Sequence, residues 1–365
     1  MAQAVNTLHK DSCGCGKSEL DLFSVPPTQI EMNKGFWESV DPVASVQNSD
    51  TIEFICPANP DVYTDLANSY LHVKAKITKA NGANLDADEQ VGPVNLWLHA
   101  LFSQVEVFLN NKLVTPSSTA YPYRAYMETI LNFSKDAKLS QLTSALFYKD
   151  KAGKMDSVNP VANADAVNTG LQERYNHSKE SKMVSMEGKI HSDLFAQDRY
   201  ILGGIPIKLK LVRSSATFSL VSSTDPAAYK VVIEDCVFRV RKVNVSPTVM
   251  IGHTEALKHT TAKYPINRVE CKVFSAPRGN YSGNQPNIFQ GQLPDRIVIG
   301  MVDSTAFNGS FKKNPFNFKN YDITYLALTV NGEHLPSKPL QLKFGDAQGA
   351  NYVAAFQTLY AGSNK

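Results

Sequence analysis

A chain of 365 residues with 43% apolar, 10% aromatic and 19% charged side chains has the make-up of a globular protein and can form one large or two ordinary domains. Its formal charge of +3 is small and its 37 lysines and arginines are scattered, so no specific nucleic-acid site is expected. No apolar run reaches the roughly 18 residues of a helical membrane span, and "MAQAVNTLHKDSCGCGKSELD" has no basic-then-apolar stretch of the secretory kind. The five cysteines, Cys13, Cys15, Cys56, Cys236 and Cys271, are odd in number and widely spaced, as expected of a protein that is not secreted.

Residues 1–20 are polar and without periodicity, and read as a flexible arm. "TIEFICPA" (51–58), "SYLHVKAKIT" (69–78) and "SQVEVFLNNKLVT" (103–115) have strand composition. The third turns at Asn110-Asn111, a pair that tolerates positive φ. "YPYRAYMETILNF" (121–133) places apolar residues three and four apart and predicts a helix. The polar stretch 134–190 reads as a long excursion between strands.

Strands resume in "DRYILGGIPIKLKLVRS" (198–214), with a tight turn at Gly203-Gly204, and in "ATFSLVS" (216–222). In "YKVVIEDCVFRVRKVNVS" (229–246), Val232, Glu234, Cys236, Phe238 and Val240 alternate onto one face. Residues 248–264 read as a linker with one or two helical turns, followed by strands over "INRVECKVFSAP" (266–277) and "DRIVIGMVDS" (295–304). Last comes Asn331-Gly332 between apolar runs, preceded by Ile323, Tyr325, Leu326, Leu328 and Val330, a strong signal for a hairpin. Many strands, few helices and long loops predict an all-β sandwich or jelly roll.

The two halves echo each other. "VEVFLNNKLVTPSS" (105–118) parallels "LALTVNGEHLPSKP" (326–339), and "YRAYMETIL" (123–131) parallels "YVAAFQTLY" (352–360) without gaps. Earlier, "IEF" at 52 can be set against "VEC" at 269, and "LHVKAKITKANG" (71–82) against "IVIGMVDSTAFNG" (297–309). Four parallels in order predict a tandem duplication of one barrel. By the spacing of the first copy, about 110 residues of the second are expected to lie outside this chain; the competing account is a smaller second domain that never had those strands.

Several long phrases then resemble one family. They are "ELDLFSVPPTQIEMNKGFWESVDP" (19–42), "YTDLANSYLHVKAKI" (63–77), "GPVNLWLHALFSQVEVFLNNKLV" (92–114), "YPYRAYMETIL" (121–131), "RKVNVSPTVMIGH" (241–253), "AKYPINRVE" (262–270) and "NGSFKKNPFNFKNYDI" (308–323). Together they resemble the major capsid protein of Polinton (Maverick) elements and adintoviruses, of the adenovirus hexon-like lineage. The resemblance implies a double jelly roll with long loops and a few short helices. Its parts would be an arm over 1–20, a first barrel over 21–247, a linker over 248–264 and a second, truncated barrel over 265–365. It also implies a structural virion protein forming homotrimeric, pseudo-hexameric capsomers of an icosahedral shell, with penton and minor capsid proteins as further partners. Such a protein is made in the host cytoplasm, with assembly in the nucleus. The other reading is a host-domesticated jelly-roll module that recognises glycan or protein through its loops.

No enzyme is expected. His9, His72, His99, His177, His191, His253, His259 and His334 contain no His-x-His pair and no Glu at cupin-like spacing, and "CGCG" (13–16) supplies only two thiols of a four-ligand site. There is no nucleophile elbow and no phosphate-binding Gly-rich loop, so catalytic, cofactor-binding and metal residues are each expected to be none. "ILGGI" (201–205) resembles a maturation-protease site but reads better as a turn. Phe316, Phe318, Tyr321 and Tyr325, beside only Lys312-Lys313, are expected in packing and not in base stacking.

Overall fold

The structure, a computed structural model, describes residues 22–23, 29–47, 49–115, 118–163, 166–224, 226–289, 292–345 and 350–362, without the side chain of Pro336. The expected arm and the "CGCG" thiols lie outside these residues.

Ten strands occupy the first part of the chain: β1 (Met32–Val40), β2 (Thr51–Cys56), β3 (Val62–Lys79), β4 (Val91–Pro93), β5 (Phe102–Leu109), β6 (Lys112–Leu113), β7 (Val184–Gly188), β8 (Ile207–Arg213), β9 (Leu220–Ser222) and β10 (Tyr229–Val245). β1 pairs with β10, β2 with β8, β3 with β7 and β5 with β6, all antiparallel, so the chain doubles back on itself as one long hairpin. Coiling that hairpin sets β10 beside β3 and β8 beside β5. The result is two sheets, ordered β1-β10-β3-β7 and β2-β8-β5-β6, which is the nested winding of a jelly roll. β4 and β9 form a separate short pair.

The core lies between these sheets. Leu71, Val73, Ala75 and Ile77 point inward from β3 with the two-residue period of a strand and are fully buried, opposite Phe54, Val107, Leu209 and Leu211. Phe238 of β10 stands 6.1 Å from Phe54 across the sheets and 6.0 Å from Phe195. Each such side chain removed from water contributes about 1.5–3 kcal/mol.

Two readings of the first half are corrected. Val232 and Glu234 do not share a face with Cys236, Phe238 and Val240. A register shift between Ile233 and Asp235 inserts one extra residue, so Val231 and Ile233 are buried before it and Cys236, Phe238 and Val240 after it. The stretch 134–190 is not bare loop, since it holds α3 (Lys135–Leu139), α4 (Thr169–Ser178) and β7. Only Val184 and Met186 of β7 are buried, too short an apolar signature to stand out. Smaller differences follow the same logic. Residues 216–222 split into α5 (Ala216–Ser219) and β9, and of 198–214 only β8 is strand, with Ile201 bridging Thr64 before the Gly203-Gly204 turn. That turn is real. Gly204 has φ 81°, and a Cβ on Gly203 would lie 2.4 Å from the Pro60 carbonyl oxygen.

The helix predicted over 121–133 is α2 (Tyr121–Asn132), entered through Pro122 in its first turn, and short α1 (Trp97–Ala100) packs wholly buried beneath it. Beyond β10 the character changes. α6 (Pro247–His259) is longer than the expected one or two turns and buries none of its residues. Residues 266–277 and 295–303 form no strands, which corrects both strand assignments there. A strand persists only where a neighbour takes up its backbone groups, and among the described residues none lies alongside. α7 (Ser304–Asn308) follows, and then the hairpin of β11 (Tyr325–Val330) and β12 (Glu333–Gln341), and α8 (Val353–Gly362). The hairpin turn has φ 51° at Asn331 and 89° at Gly332, the double positive φ that an Asn-Gly pair supplies at least cost. The class is thus all-β, as expected: the ten strands of the first part form a jelly roll, and after β10 the described residues hold one two-stranded sheet, β11-β12.

The excursion is pinned by a buried ion pair. Arg174 of α4 reaches Asp150 at 2.8 Å, and both side chains are 1% exposed. Its remaining donors satisfy the carbonyls of Pro93 and Tyr148, while Asn168 and Asn314 donate to the Asp150 carboxylate. Replacing Arg174 by Met would strand Asp150 without a cation. Urea unfolding is expected to show a loss of about 3–5 kcal/mol, whereas removing the exposed Lys258–Glu255 pair of α6 is expected to cost about 0.5 kcal/mol or less.

Candidate assembly surface

The second part of the chain meets the jelly roll along one seam, centred on α2. This helix turns Tyr121, Tyr123, Ala125, Tyr126 and Thr129 inward. Phe316, delivered by the "NPFNF" phrase, stacks on Tyr126 with ring centroids 4.4 Å apart and planes 10° apart, and is 1% exposed. Phe307 of α7 stacks on Tyr123 at 5.4 Å, and Phe318 and Phe218 close the edges. Burial pushes the phenols of Tyr121, Tyr123 and Tyr126 well above their ordinary values, so they stay neutral. Asn314 ties the same strap to Asp150 and Asp156, and Lys319 pairs with Asp156 at 2.7 Å.

A second fastening is made through Arg124, between Tyr123 and Tyr126 in the same half of α2. The Asp193 carboxylate, 1% exposed, accepts from Arg124 at 2.6 Å, from Arg268 at 3.0 Å and from the backbone N–H of Val269 at 3.3 Å. Arg124 also reaches Glu128 at 2.9 Å, and Glu128 accepts from His191 at 2.7 Å. Burial alone would raise the Glu128 carboxyl, but the His191 hydrogen bond and the Arg124 charge hold it below the usual carboxylate range. Arg124 is likewise raised, because Glu128 and Asp193 outweigh the burial that would lower it. Beneath this chain of charges His99 is buried, its Nδ1 bonded to the Tyr121 hydroxyl at 2.9 Å and its ring edge-on to His191 at 4.7 Å. Burial first, and the nearby His191 second, push His99 well below the ordinary imidazole value.

The arrangement joins the second part of the chain to α2 and to Asp193. No set of three His, Cys, Asp or Glu side chains among the described residues could hold a metal ion. His72 pairs with Glu187, His177 with Tyr148, His253 with Tyr63 and His334 with Thr329, and His9 lies outside the described residues. Cys56 and Cys236 are buried thiols, and burial raises both and Cys271 above the ordinary value. Of the four aromatics weighed above, Phe316 and Phe318 pack in the seam, while Tyr321 and Tyr325 stay half exposed. The Asp193–Arg124–Glu128–His191 chain is invisible to sequence reading, because it joins two short pairs, Arg124 with Glu128 and His191 with Asp193, that lie more than 60 positions apart and form no motif. No helix among the described residues is long and apolar enough to cross a membrane.

What the seam leaves uncovered is the more telling surface. Ala306, Pro315, Phe316 and Leu342 are the buried apolar residues after residue 247 among those described. Exposed along the same stretch are Val273, Phe274, Ile299, Tyr325, Tyr352, Val353 and Phe356, each at least 45% accessible. The repeat makes the contrast specific. β5, a turn with positive φ at Asn110 and Asn111, β6 and α2 recur as β11, the Asn331-Gly332 turn, β12 and α8. Tyr123 is 6% exposed in the first copy and its counterpart Tyr352 is 45% exposed in the second. β5 is flanked by β8 as well as β6, whereas among the described residues β11 pairs with β12 alone. The other parallels, at 269 and 297–309, do not recur as strands.

No family profile matches the chain. An uncharacterised protein of Caenorhabditis elegans is 24% identical over 345 residues, covering 92% of this chain and 78% of that protein. Among solved structures the chain is similar to viral capsid proteins. The Faustovirus major capsid protein is matched at a TM-score of 0.38 and 9% identity over 65% of this chain, the Sputnik virophage at 0.42 and 10% over 65%, and the mavirus major capsid protein at 0.35 and 13% over 67%. The matches span 58%, 53% and 54% of those chains, a little over half of each.

Phe316→Ala is expected to cost about 3–5 kcal/mol. Limited proteolysis should show cleavage within 303–319 rising well before the strands of the jelly roll lose hydrogen-exchange protection. Below about pH 6.5 an unfolded chain takes up a proton that buried His99 resists, so stability falls as the pH drops. The melting temperature is expected to fall between about pH 7 and pH 5, with a shallower slope in His99→Gln.

Proposed function

We propose that the chain is a structural virion protein, the major capsid protein of a Polinton-like element or adintovirus, which assembles as homotrimers of pseudo-hexagonal outline. The arm over 1–20, first barrel over 21–247, linker over 248–264 and second unit over 265–365 are the parts of that reading. Its mechanism is packing. The observation that carries it is the apolar surface of the second unit, exposed where the equivalent residues of the first are buried. Apolar side chains left this exposed call for a partner surface, and copies related by threefold symmetry would supply one. The long family phrases, the jelly-roll winding and the recurring strand-turn-strand-helix unit support the same reading. Penton and minor capsid proteins are the further partners it implies, with nuclear assembly after cytoplasmic synthesis.

Light scattering on the full chain is expected to give a trimer, and negative-stain images a hexagonal projection. A monodisperse monomer at high concentration overturns the reading. The double variant Tyr352→Asp, Phe356→Asp places charges on exposed positions of the second unit, so it should abolish assembly while leaving the first barrel's thermal unfolding within a few degrees.

A further inference from the structure

A groove of about 450 Å³ runs over the outer face of the sheet at β1, far from the seam in sequence and built from different residues. Its floor is Trp37, which stays 53% exposed although the Arg241 guanidinium lies 3.9 Å above its ring centroid. The indole is held in place. Its Nε1 donates to the Asn68 carbonyl at 3.2 Å, and Asn68 is itself fixed by the Asp65 carboxylate at 2.8 Å. Gly35 makes room for the guanidinium, since a Cβ there would lie 2.4 Å from Arg241 Nη2. The hydroxyl-bearing Tyr70 lines the same groove.

The guanidinium is what calls for a ligand. Among the described residues Arg241 has no ion-pair partner and its guanidinium contacts the face of Trp37, while the Asp65 carboxylate in the same groove is taken up by Asn68 and the Lys34 ammonium lies over Phe36 on the other face of β1. Elsewhere on this sheet exposed cations are paired, as with Lys74–Asp235 and Lys76–Glu234. A guanidinium laid flat on an indole keeps its N–H edge free for a planar oxyanion, and an exposed aromatic face beside it suits the C–H face of a sugar ring. Asn68 and Tyr70 are placed for hydroxyls. One guanidinium in a concave groove, whose lining carboxylate Asp65 is taken up by Asn68, suits a single acidic group and not the phosphate track of a polynucleotide.

We propose that this groove binds an acidic saccharide, with a sugar ring on Trp37 and its carboxylate or sulfate on Arg241. The site does not depend on the capsid reading. The test is binding of the full chain to sialylated, uronate-bearing and sulfated oligosaccharides beside their neutral parents. Acidic members should be retained and neutral parents lost, with the carboxylated and sulfated arms showing which anion is preferred. Trp37→Ala and Arg241→Gln should each weaken binding roughly tenfold or more. Gly35→Ala should weaken binding by displacing Arg241. Retention of no acidic saccharide, equal retention of the neutral parents, equally effective competition by inorganic sulfate, or displacement by a single-stranded oligonucleotide at lower concentration would each overturn the proposal.

Discussion

Everything in the first barrel waits on β10. This strand pairs along its length with β3, whose residues lie about 150 positions earlier, and on its other side with β1. Without it the sheet β1-β10-β3-β7 has no centre, and Phe238 has no strand from which to reach Phe54. Contacts of such separation carry a loop-closure cost that is recovered only when the opposing apolar faces meet, so the barrel forms as a whole or not at all. The bulge at Glu234 is the local price of that pairing, letting one long strand serve two core layers whose inward parities differ.

The same dependence on partners explains why the two halves of one repeat look so different. In the first copy β5 is clamped between β6 and β8, and α2 buries Tyr123, Ala125 and Thr129. In the second, the hairpin forms because an Asn-Gly turn and cross-strand pairs are local, and α8 forms because its backbone bonds lie within the helix. Residues 266–277 and 295–303 have strand composition, yet composition supplies no neighbour, and they stay unpaired.

Two fastenings hold the second unit to the first, and they differ in kind. The stack of Phe316 on Tyr126 is apolar and tolerant of salt. The Asp193 hub is a buried carboxylate with three donors, where losing one partner leaves charge uncompensated. Apolar packing sets where the strap lies, and the hydrogen-bonded carboxylate sets its register, since Val269 and Arg268 must both reach the same side chain.

Much of this was legible in the order of residues. The alternation of β3, the turns at Asn110-Asn111 and Asn331-Gly332, the spacing of α2 and the recurrence of strand, turn and helix are local patterns that backbone sterics and periodicity decide. β7 was hidden because only Val184 and Met186 face the core, and the parity switch in β10 was hidden because a bulge leaves no mark on composition. The Asp193 hub and the Trp37–Arg241 groove join residues far apart in the chain, so no window of sequence contains either. The sequence by itself determined the all-β class, the turns and the repeat, because those follow from each residue's own stereochemistry. Only the tertiary structure decided which strands find neighbours, which charges are buried together and which apolar side chains remain in water, because those depend on what the rest of the chain brings alongside.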